Sequence, residues 1–495
     1  MFYIGFDIGS SSIKAALVDA ESGKYIGSVS EPKEEMKIHS IKENWAEQNP
    51  ASWWKNLCVA SKKLLKEQNI QSYQIKGIGI AYQMHGLVVV NKKGELIRDS
   101  IIWCDSRAVD IGEKAFETLG KKQCMDQLLN SPANFTASKL KWIKDHEPEN
   151  YKEIYKFLLP GDYIAYKLTN EMCITKSGLS EATLWDFSTD TPSDKLLEYY
   201  QIDPDVIPNI VPTFSNQGIV SKRAAEESGL KEGIPLLYRS GDQPNNALSL
   251  NVFNKGEVAA TGGTSGVLYG ITDNLNATEG VKLNNFAHVN HDNKQPRIGK
   301  LLCINGSGIQ YRWLKNNFRL EKDSYEEMNF LASTVPVGAD NLQILPFGNG
   351  AERMFDNQTI GTHICNLKLN KHNTSHIFRA ALEGIAFSFV YGMEILKNDN
   401  TTINVIRAGN DNLFRSDVFS NTIATLINQD IEIYNTTGAA GAARAAGLSD
   451  KAFGDLGEII MQNDYVKTYH PLQNQKDYQQ AYRNWKTELN RILKK

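Results

Sequence analysis

Ile4-Gly5-Phe6-Asp7-Ile8-Gly9-Ser10-Ser11-Ser12-Ile13-Lys14-Ala15-Ala16-Leu17-Val18 reads as an apolar strand, a carboxylate, a turn of small residues and a second apolar strand. Gly9 permits close backbone approach, and Ser10, Ser11 and Ser12 offer hydroxyls and uncrowded N–H donors, which suits a turn folded over an anion. A carboxylate beside a phosphate is repelled unless a cation lies between them. Asp7 is therefore expected to partner Mg²⁺, directly or through water. Taken alone, the segment also fits an ordinary hairpin with a solvated aspartate.

The second half repeats the design. Gly256-Glu257-Val258-Ala259-Ala260-Thr261-Gly262-Gly263-Thr264-Ser265-Gly266-Val267-Leu268-Tyr269-Gly270 is again strand, small-residue turn, strand. Two such hairpins half a chain apart predict a duplicated unit with one phosphate-binding turn from each copy at a shared cleft. No Gly-x-x-x-x-Gly-Lys-Ser/Thr loop competes for that role.

Strands alternate with helices around these hairpins. Pro50 opens a helix with Trp53, Trp54, Leu57, Leu64 and Leu65 on one face, and Ile75 to Ala81 is a buried strand, so the first half reads as an α/β unit with a mixed sheet. A last strand at Ile234 to Tyr238 precedes the half-chain boundary. A helix near Gly308 to Leu314, a long helix from about Ser375 to Lys397 and a strand at Ile403 to Asp411 follow it. The stretch Gly438 to Gly447 permits close helix packing or the approach of a flat ring.

The 495 residues suffice for two large domains, and a formal net charge of −3 leaves no basic excess for nucleic acid or an anionic membrane. Partners are expected to be small molecules. Six cysteines without a Cys-x-x-Cys pair fit reduced thiols and a cytoplasmic location. No uncharged apolar run reaches the ~20 residues that span a bilayer.

Three segments could carry chemistry. Gln83-Met84-His85-Gly86 follows a strand; an amide, an imidazole and a thioether together suit a small polyol, although a satisfied half-buried histidine is the plain alternative. Ser240-Gly241-Asp242-Gln243 follows another strand, and Asp242 is placed to accept a proton from an attacking hydroxyl, or else to cap a helix. His288-Val289-Asn290-His291 has metal-like spacing but no further ligand at a standard offset, and is expected to be a solvated loop.

These motifs resemble the FGGY carbohydrate kinases of the actin-like ATPase superfamily, and within them the xylulokinase branch. The resemblance runs through Asp7 to Lys14, Trp45-Ala46-Glu47-Gln48-Asn49-Pro50, Gln83 to Gly86, Ile102-Trp103-Cys104-Asp105-Ser106-Arg107, Phe135 to Trp142, Leu159 to Tyr163, Gly241-Asp242, Gly263 to Gly266, Leu382-Glu383-Gly384 and the closing Ala-rich helix. It implies an α/β fold of two actin-like (ribonuclease H-like) ATPase domains with an interdomain active-site cleft, 1–247 on the sugar side and 248–495 on the nucleotide side. It implies ATP and Mg²⁺, with Asp242 as base and Asp7 near the metal and phosphates. Gln83, Met84, His85, Trp103, Asp242 and Gln243 would contact sugar. Gly9, Ser10, Ser11, Ser12, Lys14, Gly263, Thr264, Gly409, Asn410 and Asn412 would contact ATP. The expected reaction is phosphorylation of D-xylulose to D-xylulose 5-phosphate, with L-xylulose, D-ribulose or a polyol as other acceptors and an actin-like ATPase switch as the reading of a different class. A homodimer is an assembly it allows. Three positions depart from the family pattern: Gln243 replaces Asn, and Ala408 and Asn366 each replace a glycine.

Overall fold

The computed structural model describes residues 1–278, 281–318 and 324–494. Two sheets organise them. The first contains β1 (Phe2–Ile8), β2 (Ile13–Asp19), β3 (Tyr25–Glu31), β4 (Ile75–Tyr82) and β5 (Leu236–Gly241), in the spatial order β5-β4-β1-β2-β3. The second contains β6 (Glu257–Gly262), β7 (Gly266–Thr272), β8 (Asn284–Ala287), β9 (Ile298–Ile304), β10 (Val405–Gly409), β11 (Ile431–Tyr434) and β12 (Tyr465–Tyr469), in the order β8-β9-β7-β6-β10-β11-β12.

The duplication is visible in the pairing. In the first sheet β1 is antiparallel to β2, β2 antiparallel to β3, and β1, β4 and β5 run parallel. The second sheet repeats this with β6 antiparallel to β7, β7 antiparallel to β9, and β6, β10 and β11 parallel. β8 and β12 are antiparallel additions at its two edges.

The helices that matter for the site are α1 (Pro50–Glu67), α2 (Thr136–His146), α3 (Lys176–Glu181), α4 (Asp242–Ser249), α5 (Gly308–Asn317), α6 (Thr374–Asn398) and α7 (Gly438–Ser449). Asn49 caps α1 by accepting from Ala51 N at 2.9 Å, and Pro50 takes the first turn, where no N–H is needed. The helix buries Trp53, Leu57 and Leu64 with Ile4, Phe6, Ile78 and Ile80 in the first core. α6 fills the second core with Leu382, Ile385 and Phe389 against Leu268, Ile304 and Ile406.

A third cluster joins the halves. Tyr3, Ala16 and Ala81 of the first sheet pack with Tyr269 and Phe286 of the second and with Ala439, Ala442 and Ala443 of α7. The small residues of α7 therefore serve packing: a Cβ on Gly5 would stand 2.0 Å from Ala439 O, and one on Gly79 would stand 1.9 Å from Ala442 O. A helix encoded in the second half lies directly on the backbone of β1 and β4.

The expectation of a solvated loop at His288 to His291 is corrected. His288 is buried, with Nε2 at 3.2 Å from Val252 O and Nδ1 at 3.2 Å from the Tyr269 hydroxyl. His291 is half-buried. Burial holds the two imidazoles down, to about 3 and about 4. Among the described residues no helix is long and apolar enough to cross a membrane.

Candidate active site

Parallel strands end on a common edge, and loops leaving that edge face a crevice. The register pairs Ile8 with Tyr82 and Tyr82 with Gly241, so Asp7, the Gln83 to Gly86 segment and Asp242 arrive together. Met84, His85, Trp103, Asp242 and Gln243 line one cavity of about 700 Å³. Asn134 and Phe135 complete the wall from the first half, and Ser265, Asn284, Asn305 and Arg353 contribute from the second. Trp103 stands at this wall 53% exposed, its indole N–H pointing to Ser10 Oγ at 3.4 Å.

His85 is held in an unusual conformation. Its φ is 61°, in the left-handed region that disfavours a residue with a Cβ. The Lys139 ammonium of α2 donates to its carbonyl at 2.8 Å, and its ring meets Phe135 edge-on with centroids 4.7 Å apart. Burial, then the Lys139 charge, lowers the imidazole to about 3, so the ring is neutral and can both donate and accept. Lys139 itself is buried and held down to about 7 by burial.

Asp242 opens α4 immediately after β5. Burial, and then the neighbouring Asp7 carboxylate, raises it to about 7. Burial also raises Asp7, and Lys14 across the hairpin opposes that shift. The two carboxylates, one near the end of β1 and one at the start of α4, repel each other. Among the described residues no group of three metal-ligating side chains gathers, so protein oxygens alone make no cage. One carboxylate supplemented by water and phosphate oxygens is the donor set Mg²⁺ accepts.

The second hairpin separates this cavity from another. The main-chain N–H of Gly308 and of Ile309, at the start of α5, donate to Gly263 O and Thr264 O at 3.1 and 3.0 Å. That pins the β6–β7 turn. Gly263 and Thr264 line a hollow of about 290 Å³ with Tyr311, Arg312, Tyr325, Asn329 and Asn412, while Ser265, the next residue, lines the larger cavity beside Asp242.

Other expected residues lie around these two spaces rather than in their walls. Gly9 N donates to Ser12 O at 3.1 Å to close the first turn. Ser11 is exposed, with its carbonyl accepting from Met36 N at 2.8 Å. Lys14 is exposed and lines a separate hollow with Ser28, Lys33, Lys63 and Thr437. Gly409 ends β10, and Asn410 N donates to Tyr434 O at 2.8 Å. Gln83 is 3% exposed, its main-chain N–H on Ile8 O at 2.8 Å and its amide atoms without a hydrogen-bond partner among the described residues.

Residues 2–249 match the N-terminal domain of the FGGY family of carbohydrate kinases, and residues 258–449 match its C-terminal domain. The chain belongs to the FGGY family. It is therefore a carbohydrate kinase, and family membership implies ATP as the phosphoryl donor. Xylulose kinase from Staphylococcus xylosus is 27% identical over 498 residues, covering 98% of this chain and 99% of that protein. The crystal structure of xylulose kinase from Rhodospirillum rubrum superposes with a TM-score of 0.89 at 22% identity, covering 100% of both chains. Plasmodium falciparum glycerol kinase with ADP superposes with a TM-score of 0.87 at 22% identity, covering 99% of this chain and 98% of that one. The fold of this FGGY kinase is thus shared by enzymes named for different acceptors.

Arg353, Tyr311 and Tyr325 line these spaces but were not legible as site residues in the sequence. Phe135 and Lys139 stood within a quoted family segment but carried no assigned role. Nothing in the spacing around Arg353 signals a site, because it reaches the cavity only through the fold.

Proposed function

We propose that this FGGY kinase transfers the γ-phosphoryl group of ATP to a terminal hydroxyl of D-xylulose, giving D-xylulose 5-phosphate. The observation that carries the reading is the β6–β7 turn, whose consecutive residues Thr264 and Ser265 face the smaller hollow and the Asp242 cavity respectively. A phosphoryl group held at that turn has one hollow behind it and the Asp242 cavity in front of it. The relatives named xylulose kinase support the choice of acceptor.

Met84 covers a carbon face of the sugar and His85 exchanges hydrogen bonds with its hydroxyls. Asp242, ionised above its raised midpoint, accepts the hydroxyl proton as the oxygen attacks phosphorus. Gly263 and Thr264 hold the phosphates, and Asn412 and Tyr311 lie where the nucleoside would sit. Asp7 would hold Mg²⁺ through water; when bound, the ion neutralises phosphate charge. The rest of the catalysis is positioning and exclusion of water, since water in place of the sugar would give ATP hydrolysis.

A coupled ADP-release assay with D-xylulose, L-xylulose, D-ribulose, glycerol and gluconate tests this. D-Xylulose should give the highest kcat/KM and stimulate ATP turnover well above the sugar-free rate. A better acceptor within the panel would replace the substrate, and ATP turnover indifferent to every sugar would overturn the kinase reading in favour of an ATPase switch.

A further inference from the structure

Glu181 belongs to neither motif at the cavity, yet it touches both. It ends α3 and is 1% exposed. Its Oε1 accepts from the main-chain N–H of His85 at 3.4 Å, and its carbonyl oxygen lies 3.1 Å from His85 Nδ1. The other carboxyl oxygen abuts Gly241: a Cβ added there would stand 2.5 Å from Glu181 Oε2 and 2.6 Å from Met84 Cγ. One side chain thus fills the space between the loop leaving β4 and the end of β5.

Packing does not account for a carboxyl group here. Burying one is costly unless its polar ends are used, and methionine would fill a similar volume without that cost. Burial, with Asp162 and Asp242 nearby, raises the group well above the usual carboxylate range, which favours its protonated form. The carboxyl accepts from the His85 N–H through one oxygen, and the Tyr82 hydroxyl lies within its hydrogen-bonding reach. His85 needs such a hold, because its left-handed backbone disfavours a residue with a Cβ.

We propose that Glu181 is a positioning residue for phosphoryl transfer, its carboxyl fixing His85 relative to Gly241-Asp242 so that a sugar hydroxyl held by the first motif meets the base carried by the second. This rests on the sugar-kinase reading above.

The test compares Glu181→Met with Glu181→Gln in the full-length enzyme, measuring kcat, both KM values and the thermal midpoint. Methionine keeps the volume and removes the polar ends, so KM for D-xylulose should rise at least about tenfold and kcat should fall, with KM for ATP and the thermal midpoint little changed. Glutamine offers one acceptor and one donor in the same shape and should remain within about threefold of wild type. Wild-type sugar kinetics in Glu181→Met, or equal losses in both variants, would overturn the proposal while leaving the wild-type reaction intact. If the methionine variant does not fold, Glu181→Gln decides: retained constants support the role and a tenfold loss refutes it. A wild type that phosphorylates no sugar overturns both readings, and the parent enzyme alone reveals that outcome.

Discussion

Asp242 is raised to about 7 by burial and by Asp7, and this has two consequences of opposite sign. In the proposed role of base it must be ionised, so the sugar-dependent rate should fall as pH drops through about 7. Asp242→Asn should lose that limb and at least about a hundredfold in kcat, since the amide keeps the shape and cannot take the proton. For stability the protonated form is the one the fold prefers. The benefit is fully present below the unfolded value near 3.8 and is lost as pH rises through the folded value of about 7. Asn lacks this penalty, so the variant should gain stability over wild type between pH 4 and pH 8, read from urea midpoints. Near-normal turnover in the folded variant would remove Asp242 from the chemistry. An unchanged stability difference would show that its environment is more solvated than the fold implies. At this scale the strand-end positions of Asp7, Met84, His85 and Asp242 were legible because strand ends announce themselves by pattern. Glu181 and Arg353 were not, since a lone charged residue in a sequence looks like any solvated one.

The element that most constrains the site is α7. It crosses β1 and β4 where those strands carry Gly5 and Gly79, and its carbonyls approach so closely that a methyl group has no room. The neighbour in each case is main chain, which cannot rotate away. Gly79→Ala should therefore cost about 2–3 kcal/mol or more by forcing the helix off the sheet, and it should weaken sugar binding as well, because β4 leads directly into Met84 and His85. A variant with wild-type urea midpoint and wild-type sugar KM would show that α7 tolerates displacement. The Ala-rich composition of α7 left packing and ring binding open, and the contact with β1 and β4 decides for packing.

For the whole molecule, the two halves meet through the shared cluster of Tyr3, Tyr269, Phe286 and α7, and the larger cavity takes wall residues from both. A sugar enclosed by two such walls is best shielded from water when they approach. Small-angle scattering should record a smaller radius of gyration with D-xylulose and a non-hydrolysable ATP analogue together than with either alone. Identical curves in all states would mean the cavity is already closed. By itself the sequence determined the duplicated strand-turn-strand plan, the α/β class and the strand-end motifs, because hydrophobic period, small-residue turns and carboxylates at strand ends are local signals. Only the tertiary structure decided that α7 packs on the opposite half's sheet, that one turn faces two cavities, and that Glu181 lies between His85 and Gly241. Those facts depend on contacts between residues from about a hundred to several hundred positions apart, and no local pattern encodes the distance between segments that meet only when the chain has folded.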